Sequence, residues 1–278
     1  MKKNLIIVGN TGEIGRCVER YYKNKKKYNI IGLNSSNCNL LNFEKCYYVL
    51  KKYTKNKSII IFLSHLTRDN NNLTMFNKNI KMTVNLIRSI SIENIEQLVF
   101  FSSVCVYGRP PIVKIITENT QCNPNEYYGL SKFVSEKLLE NFLINKLTIF
   151  RIPGVYGNKF SKNIINKIIS NSEEKKKIII FNNGEDYRDF LYINDLIYFL
   201  NQTIKNKYFE TFNIVSGKST KIKNIASIIQ KKFQNNLNII YSNRKQQNFD
   251  LKFNNSKLNN ITKKFKFSNL KNEIKNLI

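Results

Sequence analysis

NLIIVGNTGEIG, residues Asn4–Gly15, joins a short apolar run to three glycines that are spaced three residues apart. The apolar run predicts a strand, and a helical pattern follows to about Tyr22. Glycines at such a junction allow a tight turn, close approach of the backbone to a pyrophosphate, and close helix–strand packing. The first N–H groups of the helix then face the anion. The stretch predicts a dinucleotide-binding βα unit, although an ordinary glycine turn can have the same spacing.

The alternation of apolar runs and helical patterns continues to about Arg151. Continuous apolar strands that alternate with helices indicate a parallel sheet covered on both faces. The strands predicted are Asn4–Val8, Tyr28–Leu33, Ser58–Leu63, Gln97–Phe101 and Leu147–Phe150, and the longer helices are Phe43–Tyr53, Thr74–Ile92 and Glu126–Leu143. We therefore expect an α/β fold with a Rossmann-like, doubly wound parallel sheet.

The predicted elements after Arg151 are shorter. They are strands near 178–181 and 210–215, helices at 193–205 and 221–233, a loop over 235–248, and a terminal helix. No linker is long enough to separate independent domains. We expect a dinucleotide-binding domain over residues 1–155 and a smaller C-terminal substrate-binding lobe over 156–278, with the chain crossing back to the sheet.

The charge balance is strongly basic, because 46 lysine and arginine residues against 19 aspartate and glutamate residues give a formal net charge of +27. Such a balance is typical of proteins that bind nucleic acid. Here the basic residues are spread along the whole chain, without an arginine-rich tail. Lys, Asn and Ile, which have A/T-rich codons, are abundant together and favour a low-GC genome as the cause. We expect no nucleic-acid partner, although a positive field attracts anionic small ligands.

Membrane, disulfide and metal classes are disfavoured. No apolar run approaches the roughly 18 residues of a membrane helix, and residues 5–8 are too short for a signal-peptide core. We expect no membrane association and a cytoplasmic location. The odd number of cysteines, without a Cys-x-x-Cys spacing, argues against disulfides and structural zinc, and the sole histidine, His65, leaves no histidine-rich metal site. The cysteines are Cys17, Cys38, Cys46, Cys105 and Cys122.

Tyr128 and Lys132 stand four residues apart on a predicted helix, so their side chains share one helical face. A lysine ammonium beside a phenol favours the phenolate and lowers a pKa that is ordinarily near 10. The pair can then exchange the proton of a carbinol or carbonyl while hydride moves to or from nicotinamide. Tyr-x-x-x-Lys also arises by chance in a chain rich in both residues. Ser103 strengthens the assignment, because it follows a predicted strand where doubly wound sheets bind ligands.

Taken together, these motifs resemble the extended short-chain dehydrogenase/reductases, the NAD-dependent epimerase/dehydratase family that modifies nucleotide sugars. The resemblance covers nearly the whole chain in the family's order. It is carried by Gly9-x-x-Gly12-x-x-Gly15, Asn79-x-x-x-Thr83-x-Asn85-Leu86, Ser102–Gly108, Tyr128-x-x-x-Lys132, Arg151–Gly157, Tyr187–Leu196 and Phe212–Gly217.

The resemblance implies a role for each matching residue. Ser103, Tyr128 and Lys132 would form the catalytic triad. Ser103, Tyr128 and Arg188 would bind the substrate, with the bidentate guanidinium of Arg188 on the diphosphate of a sugar nucleotide; the alternative for Arg188 is a surface ion pair with a neighbouring aspartate. His65 is expected to be a loop residue beside the cofactor rather than a catalyst. The expected cofactor-binding residues are Gly9, Thr11, Gly12, Glu13, Ile14, Gly15, Asn34, Asn39, Leu40, Leu63, Ser64, His65, Tyr128, Lys132 and Pro153.

Departures from the family pattern narrow the reaction. Val104 and Cys105 stand where the family's 4,6-dehydratases carry Asp-Glu, so we expect neither a dehydratase nor a related decarboxylase. Cysteine at this position resembles the enzymes that epimerise and reduce GDP-4-keto-6-deoxymannose, but no histidine follows His65 to act as their acid. We interpret Cys105 as a small core residue, with a catalytic base as the alternative. Gly154 replaces the family's common Asn and removes one substrate contact.

Two net reactions remain, a single hydride delivery by a 4-ketosugar reductase and the oxidation and return of hydride by a nucleotide-sugar 4-epimerase. No acid follows the second strand, at Asn34–Ser36, to bind a free ribose 2′-OH. This favours NADP(H) over NAD(H) and, with it, the reductase. A catalytically inactive binding or assembly protein of the same fold is the non-enzyme alternative. The resemblance also implies a homodimer formed through the helices at 74–92 and 126–143.

Overall fold

The computed structural model describes residues 2–67, 71–108, 113–157, 160, 163–174, 177–233, 237–243, 250–262 and 265–277. The chain divides into two compact units, which we call unit 1 and unit 2. Unit 1 consists of residues 1–108, 122–151 and 199–212, and unit 2 of residues 109–121, 152–198 and 213–278. The units therefore interleave along the chain, whereas the division expected from the sequence has its main boundary after residue 155 and has the chain crossing back to the sheet. The substrate-binding role of the second part stays a prediction.

Unit 1 is built from alternating strands and helices. In chain order they are β1 (Asn4–Val8), α1 (Glu13–Lys25), β2 (Asn29–Leu33), α2 (Phe43–Tyr53), β3 (Ser58–Phe62), α3 (Leu73–Ser89), β4 (Ile95–Ser103), α4 (Tyr127–Phe142) and β5 (Leu147–Ile152). A 3₁₀ turn, Val104–Tyr107, follows β4 directly. The chain later returns with the end of α6 (Ile193–Asn206) and with β10 (Thr211–Asn213).

Within the described residues, the main sheet has six strands in the order β10-β5-β4-β3-β1-β2. β1 pairs in parallel with both β2 and β3, and β3 pairs in parallel with β4. All five residues of β3 are buried, as expected for an apolar strand covered on both faces. The predicted Rossmann-like parallel sheet is confirmed. Because β1 lies between β2 and β3, the order reverses there, and ligands of such sheets bind at the strand ends beside this point.

Side chains from strands and helices fill the core of unit 1. Leu50 of α2, Leu86 of α3 and Leu139 of α4 are fully buried in one cluster with apolar residues of β1, β3 and β4. α3 ends at Ser89, earlier than expected, because Ile90 has extended backbone. None of the helices within the described ranges is long and apolar enough to cross a membrane.

Unit 2 has shorter elements around its own core. They are β6 (Gly154–Tyr156), α5 (Ile164–Glu173), β7 (Ile178–Phe181), β8 (Tyr187–Arg188), β9 (Phe190–Tyr192), the start of α6, β11 (Thr220–Lys221), α7 (Ile222–Lys232), β12 (Ile239–Ser242), α8 (Ser256–Ile261) and α9 (Leu270–Leu277).

Several elements of unit 2 were not predicted, and two of them contribute to its packing and pairing. α5 buries one apolar face in the core of this unit. Part of the segment expected to be a loop, 235–248, forms β12, which pairs in parallel with β7. Its residues 235–236 and 244–248 lie outside the described residues. β12 is only four residues long, and its buried and exposed residues do not alternate with the period of two that marks a half-buried strand.

Candidate active site

The glycine loop between β1 and α1 makes close contacts that exclude side chains at two of its glycines. Gly9 has φ +99°, and a Cβ there would lie 2.8 Å from the Ser64 Oγ and 2.9 Å from the Ser64 backbone nitrogen. A Cβ on Gly15 would lie 2.1 Å from the Gly9 carbonyl oxygen. Gly12 has room for a Cβ, whose nearest contact would be 3.4 Å away. The turn is thus pressed against the segment after β3, while Gly12 stays exposed.

The start of α1 is open to an anion. Its N-cap residue is Gly12, which offers no side-chain acceptor to the first N–H groups of the helix. By contrast, asparagine side chains cap α2 and α3. Thr11 is exposed, while Glu13 and Ile14 are half-buried. Arg16 donates to the Thr11 carbonyl at 2.6 Å, which places a positive charge beside the loop.

At the end of β2 lies a network of amides. The Asn34 side chain donates to Asn10 at 3.2 Å, and Asn10 donates to the Glu19 carboxylate at 3.0 Å. Sequence analysis missed Glu19, because it reaches this edge of the sheet from α1 rather than from the end of β2. Burial raises the pKa of Glu19, but hydrogen bonds from Lys23 and Asn10 outweigh this and lower the pKa overall. Its charge is paired with Lys23, at 2.9 Å.

Two predicted cofactor-binding residues in the loop after β2 are Asn39 and Leu40, and α3 holds the second of them. Asn39 is exposed and accepts from the Leu41 backbone N–H at 3.0 Å. Leu40 is buried, and its carbonyl accepts from the Asn85 side chain at 2.7 Å. Asn85 of the motif on α3 therefore fixes the loop after β2.

The loop after β3 is likewise held by α3, through Asn79, which is the first residue of the motif that contains Asn85. The Leu63 N–H donates to the Val8 carbonyl at 2.9 Å, which continues the pairing with β1. The Asn79 side chain accepts from the Leu66 N–H at 2.7 Å and donates back to its carbonyl at 3.2 Å. Asn79 also donates to Ser131 of α4 at 3.1 Å. These contacts connect the cofactor-side loop to α3 and α4.

Each member of the predicted triad lies in unit 1. Ser103 is buried at the end of β4, and its hydroxyl accepts from the Cys105 N–H at 3.2 Å. Tyr128 and Lys132 lie in the first two turns of α4, with the lysine Nζ 5.9 Å from the centroid of the tyrosine ring. A Cβ on Gly129 would lie 2.5 Å from the Cys105 carbonyl oxygen, so the first turn of α4 packs tightly on the turn after Ser103.

Lys132 is a buried ammonium that is anchored to the sheet. Its Nζ donates to the Phe101 carbonyl at 2.7 Å. Burial lowers the pKa of Lys132 to about 7, against the opposite effects of Glu136 and Cys105. Cys105 is half-buried rather than part of the core, and its role as a base stays a prediction.

Sequence analysis missed a buried ion pair between α4 and β5. Arg151 of β5 donates to the Glu136 carboxylate from Nη2 at 2.7 Å and to Tyr107 at 3.0 Å. Ser102 donates to the same carboxylate. Glu136 follows Lys132 by one helical turn, so the same face of α4 contacts consecutive residues of β4 through Lys132 and Glu136. Its residues come from α4, β4 and β5, so the cluster becomes apparent only once α4 is packed on these two strands.

The remaining predicted residues belong to unit 2. Pro153 is buried just before β6. Arg188 is half-buried, donates to the Tyr187 carbonyl at 2.8 Å and forms an ion pair with Asp186 at 3.0 Å. The ion pair that we weighed as the alternative for Arg188 is therefore present, and the role of Arg188 toward a diphosphate stays a prediction.

A family model described as "NAD dependent epimerase/dehydratase family" matches residues 5–247. The chain belongs to this family. The family that the motifs resemble is thereby confirmed, and with it the expectation of an NAD(P)-dependent enzyme.

Two curated relatives of the chain are informative. A Methanocaldococcus jannaschii protein, provisionally named a UDP-glucose 4-epimerase, is 33% identical over 162 residues, which is 55% of this chain and 52% of that protein. The match thus spans about half the length of that relative. The GDP-6-deoxy-D-talose 4-dehydrogenase of Aggregatibacter actinomycetemcomitans is 29% identical over 224 residues, 77% of this chain and 74% of that protein.

Solved structures agree on the fold. The Thermotoga maritima UDP-glucose 4-epimerase with UDP-glucose has a TM-score of 0.85 at 18% identity, covering 98% of this chain and 96% of that one. In the present chain, the close backbone contacts at Gly9 and Gly15 and the uncapped start of α1 fit the pyrophosphate of a dinucleotide.

Proposed function

We propose that the chain transfers hydride at a sugar carbon, C4, of a nucleotide sugar, and that its net reaction is the reduction of a 4-keto sugar. The observation that carries the proposal is the placement of Lys132. Its ammonium is buried, bonded to the end of β4 and on the same helical face as Tyr128. A buried lysine on the same helical face as a tyrosine can tune the phenol for proton transfer to an oxygen atom. A protein that only binds its ligand does not require this arrangement.

Within this proposal, Tyr128 exchanges the proton of the sugar oxygen. The positive charge of Lys132 favours the phenolate and lowers the pKa of the phenol. Ser103, at the end of β4, donates a hydrogen bond to the same oxygen. When bound, the nicotinamide cofactor supplies the hydride chemistry. The glycine loop would hold its pyrophosphate through backbone N–H groups, and Asn39 and Leu40 would line the adenine side.

NADP(H) is the cofactor that we propose. The segment after β2 carries no acid, and the nearby Glu19 carboxylate is compensated by Lys23. A neutral pocket with Arg16 close to the loop tolerates a 2′-phosphate. Calorimetric titration should give a lower Kd for NADPH than for NADH, and the reverse order would contradict this part of the proposal.

A 4-epimerase is the second candidate, since two proteins similar to this chain carry that name. An epimerase regenerates its cofactor in each cycle, whereas a reductase consumes NADPH. Purified protein that retains NAD(H) through gel filtration favours the epimerase. Protein that is empty when purified and oxidises added NADPH with a 4-keto nucleotide sugar favours the reductase.

Tyr128→Phe tests the proton-transfer step. The substitution keeps the ring and removes only the phenol oxygen, so folding should change little. General acid–base help is worth about 10²–10⁴-fold, and we expect turnover of a 4-keto nucleotide sugar to fall at least about 100-fold with little change in cofactor Kd. Tyr127→Phe, at the neighbouring position and 42% exposed, is the matched control and should keep wild-type turnover. Near-normal turnover of Tyr128→Phe refutes the mechanism.

Cofactor binding can be measured even when the nucleotide-sugar substrate has not been identified. Wild-type protein should bind NAD(P)(H), and Lys132→Met should bind it more weakly. If neither binds, the active-site assignment of α4 fails and the non-enzyme alternative takes its place.

A further inference from the structure

The fold brings lysines that are dispersed along the sequence to one edge of the main sheet. No lysine occurs in the segments that follow β1, β2 and β3, which are residues 9–12, 34–42 and 63–72. Two lysines occur in each of the segments that precede the same strands, which are residues 1–3, 26–28 and 54–57. These strands run in parallel, so the lysines meet at the N-terminal ends of the strands, opposite the proposed catalytic edge.

A cleft lies at this edge, between the C-terminal ends of α1 and α6 and the first residues of the strands. It consists of two adjoining cavities of about 200 and 240 Å³, and Lys27, Tyr28 and Lys205 line both of them. All residues that line the cleft belong to unit 1. The charged ones are Lys3, Lys25, Lys27, Lys205, Lys207 and Glu96.

Most of the positive charge in this cleft is not balanced by carboxylates. The Glu96 carboxylate accepts from Lys3 at 2.6 Å and lies 3.9 Å from the Lys207 Nζ. Among the described residues, no carboxylate pairs with the other three lysines, Lys25, Lys27 and Lys205. Five lysines and one glutamate give a net charge of +4, from which the carbonyl ends of α1 and α6 subtract roughly 0.5 each. The remaining positive charges repel one another, and an anion between them removes this repulsion.

Aromatic rings hold two of the unpaired lysines in place. The Lys25 Nζ lies 5.5 Å from the centroid of the Tyr21 ring, and the Lys27 Nζ lies 5.4 Å from that of Tyr28. Tyr22 is buried between these rings, with centroid distances of 5.1 Å to Tyr21 and 5.8 Å to Tyr28. Cation–π contacts to anchored rings restrict the two ammonium groups before any ligand arrives, which lowers the entropy cost of binding.

We propose that this cleft binds a small ligand with a diphosphate group, at a site separate from the proposed catalytic edge. Two linked phosphates fit the two cavities, with the ammonium groups of Lys27 and Lys205 in contact with both. Lysine binds phosphate as a compact point charge with three donors. β1 alone places roughly 16 Å between this edge and the glycine loop, at about 3.3 Å per residue. Inorganic pyrophosphate and a nucleoside diphosphate share the chemistry that the cleft recognises.

Fluorescence can report on the cleft alone, because the chain contains no tryptophan. Tyr28→Trp places the sole indole in the wall that both cavities share, so pyrophosphate bound at the glycine loop gives no signal. Titration of this variant with pyrophosphate should change the emission and reach saturation. Tyr48→Trp, at a position on α2 that is 74% exposed and outside the cleft, is the control and should not respond.

Two further titrations of Tyr28→Trp identify the ligand. Sulfate at the same ionic strength should give a much weaker response than pyrophosphate, and an equal response overturns the inference because the cleft then attracts any anion. ADP that binds more tightly than pyrophosphate supports a nucleoside diphosphate as the ligand, and the reverse order supports free pyrophosphate. Binding of a single-stranded oligonucleotide without binding of pyrophosphate overturns the inference.

Two lysine pairs separate a specific site from the general charge of this edge. Lys27→Gln/Lys205→Gln removes the two ammonium groups that line both cavities, and in the Tyr28→Trp background we expect the pyrophosphate Kd to rise at least about 10-fold. Lys55→Gln/Lys57→Gln removes the same charge from exposed positions before β3 that do not line the cleft, and should change the Kd by less than about 2-fold. Equal effects of the two pairs overturn the proposal.

Calorimetry keeps the test open if Tyr28→Trp fails to fold. The same lysine pairs are then compared in the otherwise wild-type chain by titration with pyrophosphate. We expect Lys27→Gln/Lys205→Gln to have one pyrophosphate site fewer than Lys55→Gln/Lys57→Gln. The same number of sites in both variants overturns the proposal, and neither result bears on the catalytic role of Tyr128.

Discussion

The buried ion pair between Glu136 and Arg151 in unit 1 leads to the largest predicted effect on stability. The carboxylate is fully buried and the guanidinium is 7% exposed, at a distance of 2.7 Å. Arg151→Met removes the cation and keeps an unbranched side chain in its place. The Glu136 carboxylate then remains in the core with Ser102 as its hydrogen-bond donor. Removal of one partner of a buried pair typically costs about 3–5 kcal/mol, because the other charge stays buried and unpaired.

Contacts in the structure refine this magnitude. Arg151 donates to Glu136 from both Nε and Nη2, and its Nη1 donates to the buried Tyr107 hydroxyl. The Tyr107 hydroxyl therefore loses this donor as well, which adds about 1 kcal/mol. We expect the free energy of unfolding to fall by about 4–6 kcal/mol, measured by urea denaturation with far-UV circular dichroism.

The double variant Glu136→Met/Arg151→Met is the decisive comparison. With both charges of the pair gone, neither partner is left as an unpaired ion, and the loss should be smaller than for Arg151→Met alone. Glu140→Gln is the matched control on the same helix, since its ion pair with Lys137 at 2.8 Å is exposed. An exposed pair contributes about 0–1 kcal/mol.

Two results would refute the reasoning. One is a decrease of less than about 1 kcal/mol in the free energy of unfolding of Arg151→Met, because a pair that contributes so little behaves like an exposed ion pair. The other is additivity, in which the double variant loses the sum of the two single variants, because residues in direct contact should show coupling.

Three further predictions concern both units and the assembly. Lys132→Met should lose turnover but be at least as stable as wild type at pH 7, because burial lowers the pKa of Lys132 to about 7. Wild-type stability should rise from pH 7 toward the ordinary lysine pKa of 10.5, and melting curves of the variant at several pH values should lack this rise. Burial raises the pKa of Asp189 to about 6 against hydrogen bonds from Ser216, so stability should fall as pH rises from 3.8 to about 6. Asp189→Asn should remove that fall, and an unchanged pH profile in thermal melts would contradict the prediction. Light scattering at micromolar concentration should give the mass of a homodimer, and a monomer mass would count against the predicted pairing through α3 and α4.

Local signals account for the parts of the site that could be predicted. Gly9 and Gly15 are needed by the backbone itself, so the requirement is written in a short stretch of sequence. Tyr128 and Lys132 share a face because helical geometry fixes their relation at four residues. The parallel sheet follows from the alternation of apolar runs and helices, which is also a local pattern.

Contacts between distant segments could not be predicted. Glu19 reaches the end of β2 from α1, and Arg151 meets Glu136 across β5 and α4. Gln97 is a buried polar residue of β4, and the structure shows its amide donating to Thr148 at 2.7 Å. None of these pairs has a characteristic spacing along the chain.

The sequence by itself therefore determined the fold class, the family and the positions of the glycine loop and the Tyr128–Lys132 pair, because each depends on residues within a few turns of one another. The tertiary structure alone decided the environment of these groups. Burial lowers the pKa of Lys132, and the ring of His65 lies 3.1 Å from the Thr83 hydroxyl of α3. Both depend on which side chains the packing of α3 and α4 on the sheet brings together, and the energy of a charge or a hydrogen bond depends on those neighbours rather than on position in the chain.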